Sequence, residues 1–251
     1  MKNISISIFY IARLKDLNST LSFKSFAKSY AQHQAGINHN LYIIFKGFDN
    51  QKNIDRAKLC FKELSYKSLF FKDEGYDIGT YIEAARMVDS KFICCFKTST
   101  IILSENWLLK FYVNLIIPTV GLVGSTGSFE SLHGYDKKFP IFPSVHIRST
   151  AFMIRTKYFL RLTSKLKIKT KDDCFLFESG HSSLTSMIFA EGKDCLVVGK
   201  NGRGYAKEFW KKSGTYRFGL QENLLIADNV TDFYMDSTSS YKNALSLSTW
   251  G

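Results

Sequence analysis

Two stretches of this chain set polar side chains at spacings that suit chemistry. In Phe142-Pro-Ser-Val-His146-Ile-Arg148-Ser-Thr150, polar groups recur at every second position. Residues i, i+2 and i+4 of a strand share a face, so His146, Arg148 and Thr150 would line one wet face, with Ile147 and Ala151 behind it. A histidine beside an arginine suits a phosphate or sugar hydroxyls, because guanidinium offers a planar fork of donors. In Lys171-Asp-Asp-Cys-Phe-Leu-Phe177-Glu178-Ser-Gly180-His181, Glu178 follows an apolar run and enters a glycine turn ahead of a predicted helix over residues 182–191. Partial desolvation there would raise its carboxyl toward the range of a general base. His181 competes for that role, and Asp172 and Asp173 read as solvated acids.

Three further segments fall where a ligand would meet a turn. Asp73-Glu74-Gly75-Tyr76-Asp77-Ile78-Gly79 precedes a helical segment. Free N–H groups at a helix start favour anions, so these acids serve as caps. In the alternative, Asp77 accepts hydrogen bonds from a base or ribose while Gly79 lets the ligand approach the backbone. A buried strand over residues 91–96 ends in Lys97, Thr98, Ser99 and Thr100. Gly121-Leu-Val-Gly124-Ser125-Thr126-Gly127-Ser128 lacks the lysine and spacing of a Walker loop and lies too late for a first-turn dinucleotide fingerprint. It is a tight turn or a phosphate cradle with three hydroxyls at hand.

The elements that must position these residues alternate. Strands are expected at residues 4–12, 41–45, 68–71, 91–96 and 120–123, and helices at 21–32, 54–64, 80–88 and 104–115, the last with Ser104 as N-cap. Such alternation argues for an α/β fold with a mainly parallel sheet. Ligands of open sheets sit beyond the carboxyl ends of the strands, so Asp73–Gly79, Lys97–Thr100 and Gly124–Ser128 should cluster at one edge. Further on, a half-wet strand over 145–155, a helix over 158–166 and a strand over 195–198 precede an irregular aromatic stretch from Tyr205. No repeat or linker is visible, so residues 1–251 read as one domain, with a nucleotide half (1–125) and an acceptor half (126–251).

Composition narrows the partners. At 251 residues and 45% apolar content the chain can bury a full core. Its five cysteines are odd in number and lack metal-ligand spacing, which reads as reduced thiols in a cytoplasmic protein. Residues 4–12 read as a first strand rather than a signal peptide, and no apolar run is long enough to span a membrane. The net charge of +12 fits phosphorylated small molecules or an anionic membrane surface, or is simply a solvated basic face. No recognisable nucleic-acid motif organises the lysines.

Taken with Ser29-Tyr30 and Gly36, Leu41-Tyr-Ile-Ile-Phe-Lys46-Gly47-Phe48, Gly75-Tyr-Asp77-Ile-Gly79-Thr-Tyr81, Trp107-Leu108, the Gly121–Ser131 run and Thr249-Trp250-Gly251, the chain resembles bacterial GT-A-type glycosyltransferases of O-antigen and capsule synthesis. The resemblance implies a GT-A-like, Rossmann-like sheet flanked by helices, a nucleotide-sugar donor (a UDP-sugar foremost), and a glycan or lipid-linked acceptor at the inner face of the cytoplasmic membrane. It implies Asp77, Gly79, Lys97, Thr98, Ser99, Gly124, Ser125 and Thr126 at the donor, and Glu178, or His181, as the base. It departs from the family where a metal-binding Asp-X-Asp would stand: Phe96-Lys97-Thr98-Ser99-Thr100 has no acid. Charge on the departing diphosphate would then fall to Lys97, His146, Arg148 and Arg203, with no cofactor required, although Mn or Mg is not excluded. Two rivals stand beside this reading. One is a non-catalytic GT-A-like module or basic adaptor. The other is a methyltransferase, weakened because residues 12–19 contain no glycine to admit a cofactor.

Overall fold

Along the first strand Ile6, Ile8, Tyr10 and Ala12 pack to one side, and Phe9 and Ile11 to the other. A strand apolar on both faces must be central and covered on both sides. The computed structural model, which describes residues 5–251, shows this. The expected first residue of that strand, Ile4, lies outside the described residues.

The elements run β1 (Ile6–Arg13), α1 (Ser19–Gln32), β2 (Asn40–Lys46), α2 (Gln51–Leu59), β3 (Lys67–Phe71), α3 (Tyr76–Met87) and β4 (Phe92–Phe96). They continue with β5 (Ile101–Ile102), α4 (Trp107–Leu115), β6 (Val120–Gly124), β7 (Gly127–Ser128), β8 (His146–Ile147) and β9 (Ala151–Arg155). Then come α5 (Thr156–Leu162), α6 (Lys171–Ser179), α7 (Leu184–Ala190), β10 (Asp194–Val198) and β11 (Gly204–Tyr205). Last are β12 (Ile226–Ala227), α8 (Asn229–Asp236) and α9 (Ser239–Trp250).

Eight strands form one sheet in the order β11-β10-β6-β9-β4-β1-β2-β3. β1 is parallel to β2 and β4, β2 to β3, and β6 to β10. β9 lies antiparallel between β4 and β6, so the carboxyl ends of β1 to β4, β6 and β10 share an edge. α1, α2 and α4 cover one face of the sheet, and α3, α5, α6 and α7 the other. The adjacent Cys94 and Cys95 divide between the two cores as strand geometry requires. All five cysteines are free thiols. Among the described residues no helix is long and apolar enough to cross a membrane.

Three expectations are corrected. The strand over 145–155 is two strands, β8 and β9, separated by a turn at residues 148–150. The segment around Glu178 is the helix α6, begun by a reciprocal cap: Asp173 N donates to Thr170 Oγ1 at 3.1 Å and Thr170 N to the Asp173 carboxylate at 2.8 Å. α4 starts after Asn106, in a left-handed conformation at φ 56°, rather than at Ser104, whose hydroxyl instead accepts from Lys110. The stretch after Tyr205 also gains order, since Asp228 and Thr238 cap α8 and α9.

Candidate active site

A cleft of about 980 Å³ opens at the carboxyl edge of the sheet, between the start of α1, the end of β4, the first turn of α3 and α8. It brings Asp77 from α3 together with Lys97, Thr98 and Ser99 from the end of β4. Lys171 from α6 and Asn229, Asp232, Phe233 and Asp236 from α8 complete the walls, with Asp16 and Leu17 opposite.

The far wall is brought there by β12, which pairs antiparallel with β5 just beyond β4. Its next residue, Asp228, is buried and caps α8, accepting from Val230 N at 2.9 Å and Thr231 N at 2.8 Å on one oxygen. The other oxygen meets Lys97 Nζ at 3.0 Å and Arg148 at 3.1 Å. Burial alone would push this carboxyl up, but the two cations and the helix N–H groups outweigh it and hold it far below the usual carboxylate range. Asn229 Oδ1 accepts from Lys97 Nζ and from Ser99 Oγ, each at 2.8 Å. An ammonium has three N–H bonds, so Lys97 has one without a partner among the described residues. Neither Asp228 nor Asn229 was singled out in the sequence, although Asp228-Asn-Val-Thr231 carries the spacing of a capping box.

The opposite wall depends on Lys46. Its stem ends beneath the first turn of α3, where Gly75 and Tyr76 both take left-handed backbone angles, φ 67° and 48°. The buried ammonium donates to Glu74 O at 2.7 Å, to Thr80 Oγ1 at 2.6 Å and to Tyr76 O. Burial lowers its pKa, partly offset by Asp77 and Asp73. Asp73 itself is held by Arg13, at 2.7 and 3.1 Å, and lowered mainly by that bond. Asp77 differs: its carboxyl is raised, chiefly by burial, and no hydrogen bond among the described residues offsets the shift. On the floor, Thr98 is 4% exposed and its hydroxyl has no partner among the described residues.

The other expected site residues lie elsewhere. His146 and Arg148 are buried rather than on a wet face, because the 148–150 turn folds them inward. His146 Nδ1 donates to Ser144 O at 2.7 Å, and burial lowers its pKa. Arg148 lies between Asp228 and the face of Tyr216, 4.4 Å from the ring centroid, and touches Thr126 Oγ1 at 3.4 Å. Glu178 lies in the last turn of α6 and accepts from Ser149 N at 2.6 Å and from Ser149 Oγ. The expected upward shift is reversed: burial raises its carboxyl, but His146, Arg148 and the Ser149 donors bring it below the ordinary value. Gly124, Ser125 and Thr126 are buried beneath the cleft rather than lining it, and Thr126 joins it through Arg148 and Asp228. Gly79 faces a separate groove beside Ile168. His181 is exposed in the turn after α6, and Arg203 is exposed beside Tyr205 on the β10–β11 hairpin.

A divalent cation at the end of β4, as the family pattern implies, would need converging oxygens. That place holds an ammonium already fixed by Asp228 and Asn229, and no group of three or more acidic, histidine or cysteine side chains converges among the described residues. The residues there do not fit a divalent cation.

A mostly parallel sheet with one antiparallel strand inside it, covered by helices on both faces, is the GT-A-like arrangement of glycosyltransferases. Among solved structures the chain is similar to the mannosyltransferase PcManGT from Pyrobaculum calidifontis, in complex with GDP-Man and Mn2+, at TM-score 0.51 and 11% identity. That match covers 76% of this chain and 53% of the mannosyltransferase. Weaker likenesses are to the galactosyltransferase LgtC with donor and acceptor sugar analogs (TM-score 0.45, 13% identity, 69% and 71% covered) and to apo mouse xyloside xylosyltransferase 1 (0.42, 9%, 70% and 73%). No protein-family model matches the chain, and no curated protein matches it in sequence.

Proposed function

We propose that the chain transfers a sugar from a nucleotide-sugar donor, a UDP-sugar foremost, to a glycan or lipid-linked glycan acceptor. The observation that carries this reading is the convergence of Asp77, Lys97, Thr98 and Ser99 on one cleft at the carboxyl edge of a GT-A-like sheet. Asp77, unpaired and half-buried, suits the N–H or hydroxyl donors of a nucleoside. Lys97, with one N–H free, and Lys171 meet the diphosphate. The similar mannosyltransferase was solved with GDP-Man. The net charge of +12 supports work at an anionic membrane face, as O-antigen or capsule synthesis requires.

In this reading Asp232 takes the role first expected of Glu178. It lines the cleft, and burial with Asp228 and Asp236 nearby raises its carboxyl, which makes it the stronger base. The acceptor oxygen bonds to the anomeric carbon as its proton passes to Asp232. The carbon–phosphate oxygen bond breaks, and its electron pair leaves with the nucleoside diphosphate toward Lys97.

A thermal-shift screen of nucleotides and nucleotide sugars tests donor binding. A rise in Tm with UDP or a UDP-sugar is expected, and no shift with any nucleotide overturns the reading. One observation favours the rival binding module: the acid expected as base is tied to Ser149. Saturable donor binding with neither transfer nor donor hydrolysis would decide for that rival.

A further inference from the structure

The cleft walls carry more acid than base. Asp16, Asp77, Asp232 and Asp236 line it against Lys97 and Lys171. Asp16 is partly neutralised by Arg13 at 3.1 Å, but Lys97 is shared with Asp228 at 3.0 Å. Surrounding charges act on Asp77 and Asp232 through space, with no hydrogen bond to either carboxyl among the described residues. Asp236 stands one turn beyond Asp232 on the same helix, so the α8 wall presents two like charges to the cleft. The floor adds one more polar group without a counterpart: the Thr98 hydroxyl, on a residue 4% exposed that lines the cleft, has no partner among the described residues.

Unpaired carboxylates are acceptors only. They are satisfied by hydroxyls or N–H groups and repelled by another carboxylate in a partly desolvated cleft. A nucleoside diphosphate already brings negative charge, which Lys97 and Lys171 can meet; little cation remains for a second anion on the sugar. Resting on the donor reading above, we infer that this cleft takes donors whose sugar is uncharged, a neutral hexose or an N-acylated hexosamine, and that Asp232 and Asp236 reject uronic and sialic sugars. Here rejection by like charge does the discriminating, which is how one partner is excluded without new contacts to the other.

The test separates this inference from the reading it rests on. Binding of UDP and GDP alone is measured first by calorimetry on the full chain. If neither binds and no other nucleotide raises Tm, the donor reading falls and the inference with it. If one binds, its matched pair is compared: UDP-glucose with UDP-glucuronate, or GDP-mannose with GDP-mannuronate. The uronate is expected to bind at least about tenfold more weakly than its neutral partner, with the gap closing as salt rises from low to about 0.5 M. Equal affinities at low salt would overturn the inference while leaving the donor reading intact. In the Asp232→Asn, Asp236→Asn variant the ratio should narrow to about threefold or less with binding of the bare nucleotide kept. An unchanged ratio in a variant that still binds nucleotide also overturns it. Should that variant not fold, the salt series on the natural chain decides alone.

Discussion

Asp228, the cap of α8, lies 3.0 Å from Lys97 at the end of β4, two residues separated by about half of the chain. Through the same oxygen it holds Arg148 at 3.1 Å, so one carboxylate ties together the end of β4, the turn before β9 and the far wall of the cleft. The contact fixes the ammonium that stands at the end of β4.

Removing that carboxylate should be costly. Asp228→Ala leaves Arg148 and Lys97, 8% and 18% exposed at their side chains, without their shared counter-charge. A loss of about 3–5 kcal/mol is expected in urea unfolding, the scale for breaking a buried ion pair from one side; a loss under about 1 kcal/mol, the scale of a surface pair, would refute the junction. The pH dependence has a definite sign. Asp228 is lowered in the folded state, so its contribution is present above the unfolded value near 4 and is lost as pH falls through the lower folded value.

Asp77 should behave in the opposite way. Burial raises its carboxyl, so the folded state binds more protons than the unfolded one between the two pKa values, and stability falls as pH rises through that interval. Asp77→Asn is expected to raise Tm at pH 7, with the gain vanishing near pH 4, while weakening UDP binding about tenfold or more, as loss of a charged hydrogen-bond acceptor does. A variant that binds UDP as well as the natural chain would remove Asp77 from the donor site.

The two acids considered as base separate kinetically. Asp232→Asn should cut turnover on the order of a hundredfold or more with donor affinity nearly unchanged. Glu178→Gln should instead reduce stability by about 1–3 kcal/mol through its Ser149 hydrogen bonds. Because Asp232 is raised, the acidic limb of the turnover profile should lie above the ordinary aspartate value near 4. The reverse pattern, with turnover lost in Glu178→Gln and kept in Asp232→Asn, returns the role to Glu178.

Transfer should persist in excess chelator, since a lysine held by Asp228 and Asn229 stands at the end of β4. Complete loss restored by manganese would overturn this, and would place the metal's ligands elsewhere in the cleft.

Much of the fold was legible because it follows from local rules. Strand positions in the first half followed apolar runs, and the parallel sheet followed from their alternation with helices. Asp77 and Lys97–Ser99, expected at one edge, line the same cleft for the same reason: a parallel sheet puts strand ends on one edge. The His146–Arg148 reading failed because period-two spacing says which side chains share a face, and cannot say that a turn will break the strand and bury that face. Glu178 failed because its neighbours in space, Ser149, His146 and Arg148, belong to another segment.

The sequence by itself therefore determined the class of fold, the edge where the parallel strands end and the absence of acids after β4, since periodicity and residue type are local. Tertiary structure alone decided which charges are available there. Asp228 and Asn229 reach Lys97 only through the pairing of β12 with β5, and Lys46 reaches the start of α3 only through the sheet. Long-range pairing sets burial and counter-charge, and those two quantities decide whether a titratable side chain is a structural tie or a group free to meet a substrate.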